Sequence, residues 1–302
     1  MKPPPFTYHS PSSVEETLDV LAETGTDGKV LAGGQSLIPL MNMRLAAPAH
    51  LIDINGAGGL DVLRTSDDGV RVGATVRQAR VERDAEVFRV QPLLRWATGF
   101  VAHPVVRNRG TVVGSLAHAD PAGELPAVLA LLDGTIEVVS RGARRTVTGR
   151  DFFAGPLESS LEPDELAVSA FFPALPDRAG ASFAEVARRH GDFAVCGAAG
   201  LVELDDDLRV AAARVAYVSV GPNPVVLDLT EACGHRSPGA TDWTRAADAA
   251  RGRLDPGADI HASAEYRRHL AGVLTARVLG EAGARAHGAA ASGDGAHSGA
   301  LR

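Results

Sequence analysis

The chain has 302 residues, 45% of them hydrophobic and 22% charged, enough to bury a full core and to build two or three domains. Its net charge of −7 argues against a surface made to hold a nucleic-acid backbone. Cys196 and Cys233 are its only cysteines, too few for a disulfide framework, a structural zinc site or an iron–sulfur cluster, so any redox centre here is an organic cofactor. No stretch approaches the roughly 20 apolar residues of a membrane span, and the start, MKPPPF, lacks a signal-peptide core, so the expected location is the cytoplasm.

The run SSVEETLDVLAE predicts the first helix. Ser12 with Glu15, or Ser13 with Glu16, fits a capping box, and Val14, Leu18 and Leu21 share one stripe. KVLA reads as a short buried strand, SLIPLMNMR as a short helix with Pro39 in its first turn, and HLIDI as a second strand, together a βαβ unit. LDVLRTSDDGVRVGA predicts a hairpin turning at residues 67–69, and a helical pattern covers residues 77–99. GTIEVVSRGARRTVTG predicts another hairpin. From about residue 174 three strand-like runs follow, ASFAEVARR, AVCGAAGLVEL and VAAARVAYVSV, then helical runs over residues 225–233, 242–253 and 263–282. The last run places Tyr266, Leu270, Val273, Leu274 and Val278 on one face. The tail from Gly283 is rich in Ala, Gly and Ser without an apolar period, and disorder is expected there.

Two glycine-bearing loops stand out. In the first, VLAGGQSLIPLMNMR, Gly33 and Gly34 end a strand and Gln35 and Ser36 begin a helix, which presents successive bare N–H groups suited to an anion. The same pattern also fits a plain tight turn, and it matches neither the dinucleotide G-x-G-x-x-G nor the G-x-x-x-x-G-K-[ST] phosphate loop. In the second, VRNRGTVVGSLAHADPAGELPAVLALL, Gly110, Thr111, Gly114 and Ser115 precede a helix that Asp120 can cap. Together the two loops can clamp the two phosphates of a dinucleotide.

Five ordered stretches, AGGQSLIPLMNMR…LIDI, RNRGTVVGSLAHADPAGELPA, FFAGPLESSLEPDEL, RRHGDFAVCGAA and HASAEYRRHLAGVL, resemble the FAD-binding medium subunit of the molybdenum hydroxylases, the carbon monoxide dehydrogenase and xanthine dehydrogenase family. The resemblance runs from residue 4 to 282. It implies an α+β fold: a two-part FAD-binding region of the vanillyl-alcohol-oxidase type, residues 1–56 and 57–173, then a C-terminal domain of three antiparallel strands and helices, residues 174–282, with the tail at 283–302. It also implies FAD held by Val30, Leu31, Ala32, Gly33, Gly34, Gln35, Ser36 and Leu37 in the first loop, and by Ala102, Gly110, Thr111, Gly114, Ser115 and His118 around the second. Glu124 falls where relatives hold a sugar or ribityl hydroxyl, a role open alongside that of a first-turn helix acid. Leu161 matches an apolar position near the flavin ring, and Phe193 matches an aromatic beside the isoalloxazine, although core packing is the preferred reading of Phe193.

The pattern departs from the family at Val113, where a glycine is usual. A β-branched residue there costs on the order of 1 kcal/mol if the backbone must take a positive φ. His103 and His118 flank the second loop without metal-ligand spacing and read as hydrogen-bonded structural residues, and no metal site is expected. The resemblance implies an electron-transfer flavoprotein without catalytic side chains of its own. Electrons would come from the two [2Fe–2S] clusters of a small subunit, fed by a molybdopterin-binding large subunit in a dimer of heterotrimers, and pass to NAD+, a quinone, O2 or another small acceptor. Neither a nucleic-acid partner nor a membrane span is expected. A self-contained flavin oxidoreductase of the same fold, or a scaffold that has lost FAD, are the alternatives.

Overall fold

The computed structural model describes residues 2–297. The first lobe is a small parallel sheet. Strand β1 (Thr7–His9) is followed by helix α1 (Val14–Thr24), β2 (Gly28–Leu31), helix α2 (Leu37–Asn42) and β3 (His50–Asp53). The sheet order is β1-β3-β2, with both pairings parallel, so β2, α2 and β3 form the expected βαβ unit, while β1 was not legible as a strand. Ser13 caps α1 by accepting the Glu16 N–H at 3.1 Å, and the Glu16 carboxylate reaches back to the Ser12 N–H at 2.7 Å, a capping box displaced by one residue.

The second lobe is a five-stranded antiparallel sheet with helices stacked on it. The hairpin β4 (Leu63–Ser66) and β5 (Gly69–Gly73) leads into α3 (Gln78–Arg83), α4 (Ala85–Val90) and α5 (Pro92–Phe100). The helical pattern of residues 77–99 is thus cut into three: Asp84 caps α4 through the Glu86 and Val87 N–H groups, and Pro92 starts α5. After α6 (Pro104–Arg107), α7 (Val112–His118) and α8 (Glu124–Leu131) comes the hairpin β6 (Thr135–Val139) and β7 (Arg144–Thr148). Short α9 (Gly149–Phe152), β8 (Phe153–Gly155) and β9 (Glu158–Ser159) precede β10 (Leu166–Pro173), which lies between the hairpins in the order β4-β5-β10-β6-β7. Every residue of α8 is buried, because the helix touches α5 and α7 on its own lobe and two strands, residues 194–204 and 210–218, on the next.

The third lobe is an antiparallel sheet of four strands, β11 (Ala179–Ala187), β12 (Ala194–Leu204), β13 (Val210–Val218) and β14 (Val225–Asp228), in sequence order. Three strands and a helix over residues 225–233 were expected. Val225 and Val226 extend and pair with β13 instead, and only α10 (Thr230–Cys233) is helical, started by the Asp228 carboxylate on the Thr230 N–H. The sheet is buried on both faces: Ala199, Leu201, Ala216 and Val218 join the core shared with the first two lobes, while Cys196, Ala198, Val202, Val215 and Tyr217 face α11 (Trp243–Arg253) and α12 (Ala264–His297). On α12, Leu270, Leu274 and Val278 are buried as expected, but Tyr266 and Val273 lie at the exposed margin, since the buried stripe runs through Ala271, Thr275, Ala282 and Ala286.

The expectation of a disordered tail from Gly283 is overturned. Helix α12 continues to His297, with Ala286 fully buried and Arg285 donating to the Ala181 carbonyl at 2.6 Å while its guanidinium lies 4.2 Å from the Trp96 ring centre. Residues 298–302 of that tail lie outside the described residues. The small residues that suggested disorder let helix and sheet meet backbone to backbone: a Cβ on Gly180 would stand 2.0 Å from the Ala282 carbonyl oxygen and 2.4 Å from the Ala286 nitrogen. Gly180→Ala is therefore expected to destabilise the chain by about 2 kcal/mol in chemical denaturation, and an unchanged midpoint would refute the close contact.

Candidate functional site

The first loop leaves β2 at Leu31 and turns at Gly34, whose φ of +72° is left-handed and suits glycine. The N–H groups of Gly34, Gln35 and Ser36 donate to no acceptor among the described residues, while the Gly34 and Ser36 carbonyls start α2 by accepting from Ile38 and Leu40. Three successive free donors make a concavity for anionic oxygens. They border a groove of about 420 Å3 lined by Leu31–Gln35, Ile38, Pro39, Asn42, Asp53, Asn55 and Arg109.

Gly33 is the point where the first loop meets the second. A Cβ there would stand 2.5 Å from the Arg109 carbonyl oxygen, 2.7 Å from Gly110 Cα and 3.0 Å from the Thr111 nitrogen, and Gly114 faces Ala32. The second loop is in turn stitched to residues 76–78 by a bridge between Arg77 and Thr111 and by the Gln78 N–H donating to the Gly110 carbonyl at 2.9 Å. Asp53, at the end of β3, is boxed in. Burial pushes its carboxyl up, but the Asn55 N–H, the Tyr8 hydroxyl at 2.7 Å, the Asn55 amide and the nearby Arg77 charge together hold it below the usual range. Arg109 lines the groove as an exposed residue, and its guanidinium has no carboxylate partner among the described residues. A nest of free N–H groups and an unpaired cation, beside a carboxylate whose oxygens are already engaged by Tyr8 and Asn55, suit a phosphate ester.

Comparison with known proteins agrees in kind. Residues 4–175 match the family described as FAD binding domain in molybdopterin dehydrogenase, and residues 181–282 match CO dehydrogenase flavoprotein C-terminal domain. The chain belongs to the FAD-binding medium subunits of the molybdenum hydroxylases. It is 40% identical to the 6-hydroxypseudooxynicotine dehydrogenase complex subunit alpha of Paenarthrobacter nicotinovorans over 93% of this chain and 96% of the other. It is 34% identical to the carbon monoxide dehydrogenase medium chain of Hydrogenophaga pseudoflava, over 94% and 99%. Among solved structures, a carbon monoxide dehydrogenase from Hydrogenophaga pseudoflava superposes with a TM-score of 0.87 at 35% identity, covering 94% of this chain and 99% of that one. Quinoline 2-oxidoreductase from Pseudomonas putida 86 gives 0.87 at 36%, covering 96% and 100%. The family fixes an oxidoreductase subunit whose cofactor is FAD.

Within this medium subunit the expected residues fall into two groups. Leu31, Ala32, Gly33, Gly34 and Gln35 line the groove; Ser36 is exposed beside it, Leu37 opens α2, and Val30 packs into the core behind the loop. The second loop is already a helix. Thr111 caps α7 by accepting the Gly114 N–H at 3.1 Å, and the Ser115 N–H is spent on the Thr111 carbonyl, so neither of these N–H groups is free for phosphate as expected. Gly110 is needed for packing, since its Cβ would lie 2.7 Å from Gln78 Oε1. Val113 is 2% exposed inside α7 with no positive φ, so the strain feared for a β-branched residue is absent. Asp120 does not cap α8, whose N-cap is Gly123. Its carboxylate accepts the Ala122 N–H at 2.8 Å in a turn of its own.

Of the remaining positions, Glu124 on α8 and His103 beside Gly191 lie where the second and third lobes meet. Ala102 is left-handed at φ +44°, held by Arg107, which donates to the Val101 and Ala102 carbonyls and pairs with Glu82 through two oxygens. Burial pushes the His118 imidazole down, with Asp120 opposing and Lys29 adding to the effect. Its ring lies 4.0 Å from the Asp120 carboxylate without a hydrogen bond, contrary to the structural role expected. His103 is exposed and lies against Gly191, 6.3 Å from the His190 ring. Leu161 is half-buried against the core. Phe193 was read as a core residue, but 75% of it is exposed, two residues beyond Gly191. Glu124, 8% exposed at the start of α8, has its carboxyl pushed up to about 7, first by burial and then by Asp120. The sequence reading missed Asp53, Asn55, Arg77 and Arg109. For Asp53 and Asn55 the signal was a place at the end of a strand, and for Arg109 a place directly before a glycine; Arg77 carried none.

Proposed function

We propose that this chain is the flavin-bearing electron-transfer subunit of a molybdopterin-dependent hydroxylase. It takes electrons from [2Fe–2S] clusters of a small partner subunit and delivers them to NAD+, a quinone, O2 or another small acceptor, in a dimer of heterotrimers with a molybdopterin-binding large subunit. The observation that carries the reading is the groove where free N–H groups at Gly34–Ser36 meet the second loop at Gly33. When bound, FAD supplies the redox chemistry, and the protein supplies position and electrostatics. The first loop donates to the diphosphate and Arg109 offsets its charge, while Thr111, buried as the cap of α7, shapes the wall behind Gly33. Glu124 accepts a sugar or ribityl hydroxyl. Leu161 and the exposed Phe193 flank the ring where the second and third lobes meet.

Relatives are named for pseudooxynicotine, nicotine and caffeine chemistry and for carbon monoxide, and that variety supports placing substrate choice outside this subunit. Purified by itself, the chain is expected to carry a flavin spectrum that N-heteroaromatic substrates, purines or aldehydes do not bleach until the partner subunits are added. Bleaching of the isolated chain by such a substrate would instead make it a self-contained oxidoreductase, and failure to take up FAD would make it a scaffold.

A further inference from the structure

We propose that Asn55 and Arg77 are positioning residues: a side-chain strap that fixes the spacing between the two loops and so selects a flavin bearing a diphosphate. The inference rests on the FAD reading above. Asn55 follows β3 and is fully engaged. Its amide nitrogen donates to the Ala32 carbonyl at 2.8 Å and to Asp53 Oδ1 at 2.6 Å, and its Oδ1 accepts from Arg77 Nη2 at 2.6 Å. The other terminal nitrogen of Arg77, Nη1, donates to the Arg109 carbonyl at 2.7 Å. One carbonyl from each loop is therefore tied, through two planar groups, to a common anchor. That anchor is the Asp53 carboxylate, which Tyr8 holds from β1 at 2.7 Å.

The strap acts on orientation as well as distance. In a trans peptide the C=O and the following N–H point in opposite directions, so holding the Ala32 carbonyl on Asn55 turns the Gly33 N–H to the far side of the chain. The Arg109 carbonyl that Arg77 grips is also the atom nearest to the missing Gly33 side chain, so the strap closes at the place where the loops touch. Arg77 and Arg109 are two like charges side by side. Burial, and then the Arg109 charge, lower the Arg77 guanidinium from its ordinary value, an unfavourable arrangement that an anion in the groove relieves. The planar fork presents a separate nitrogen to each of the Asn55 oxygen and the Arg109 carbonyl, whereas a lysine offers a single nitrogen for both.

The test compares binding of FAD with that of FMN, which lacks the diphosphate, to the full chain stripped of flavin, by fluorescence quenching. Wild type is expected to prefer FAD. Arg77→Met and Asn55→Leu are expected to lose about 30-fold in FAD affinity with FMN affinity changed by less than about 3-fold, and Arg77→Lys to recover none of the loss. Circular dichroism identifies a variant that fails to fold, and the remaining strap variant then decides. Equal losses for FAD and FMN, or full rescue by lysine, overturn the strap. Wild-type chain that binds FAD alongside variants that bind it equally well also overturns the strap while leaving the FAD reading intact. Wild-type chain that binds no FAD overturns that reading, and the strap with it.

Discussion

Gly33→Ala is expected to weaken FAD binding by the full chain by about 100-fold, equivalent to about 2.7 kcal/mol, while the three lobes stay folded. The added methyl would meet the Arg109 carbonyl oxygen at 2.5 Å and Gly110 Cα at 2.7 Å, both main-chain atoms held by Arg77 and by the bridge to Thr111. Neither neighbour can rotate away as a side chain would, so the loops must part and the donors on them with it. Gly34→Ala separates this effect from ordinary glycine strain. It forces a residue with a Cβ to hold φ at +72°, costing about 1 kcal/mol, but its nearest neighbours are side-chain atoms of Leu31 and Ile38 at 3.0 and 3.2 Å and not main chain, so a loss of roughly fivefold is expected. Titration of apo-protein with FAD measures both. Equal affinity for wild type and Gly33→Ala would remove the loop contact from the account of binding.

The two hairpins of the second lobe and the three long strands of the third were readable as apolar runs set off by turns, AVCGAAGLVEL among them, whereas β10, which joins the hairpins into one sheet, was not. The βαβ unit was readable from KVLA, the glycines and HLIDI. What stayed hidden depends on partners distant in sequence. Val225–Asp228 is a strand because β13 offers an edge, and the Ala/Gly run after residue 282 is a helix because Gly180 lets it approach. At the groove, Gly33 could be singled out from sequence, but the reason for its bareness could not: the second loop presses on it from about 75 residues away in the chain. Tyr8, Asp53, Asn55, Arg77 and Arg109 come from four separate segments, and no periodicity or spacing joins them. Phe193 failed as a core residue for a similar reason, because an isolated aromatic in a loop carries no sign of which side will be covered.

The largest pH effect is expected from two acids without a cationic partner. Burial, then Asp120, pushes the Glu124 carboxyl up to about 7, and burial, then Glu124, pushes that of Glu185 on β11 up to about 8; Glu185 Oε2 is buried without a hydrogen-bond partner. Below the ordinary carboxylate range both groups are protonated in the native and unfolded chain alike, and they cost nothing. As pH rises the unfolded chain ionises first while the native chain keeps its protons, so the stability these groups contribute is lost as pH climbs through about 7 and 8. At about 1.4 kcal/mol per pH unit, Glu124 alone accounts for about 3 kcal/mol between pH 4.5 and 8, and half-buried Glu185 adds less than its shift would suggest because solvent reaches it. Denaturant unfolding of the flavin-free chain is therefore expected to show stability falling over that interval, and Glu124→Gln to flatten most of the fall. Glu185→Gln should flatten the upper part, and Glu124→Gln should also lower the pH at which Glu185 ionises, since it removes the charge that adds to the burial of Glu185; a slope unchanged in both variants would mean that neither acid is held neutral in the native fold.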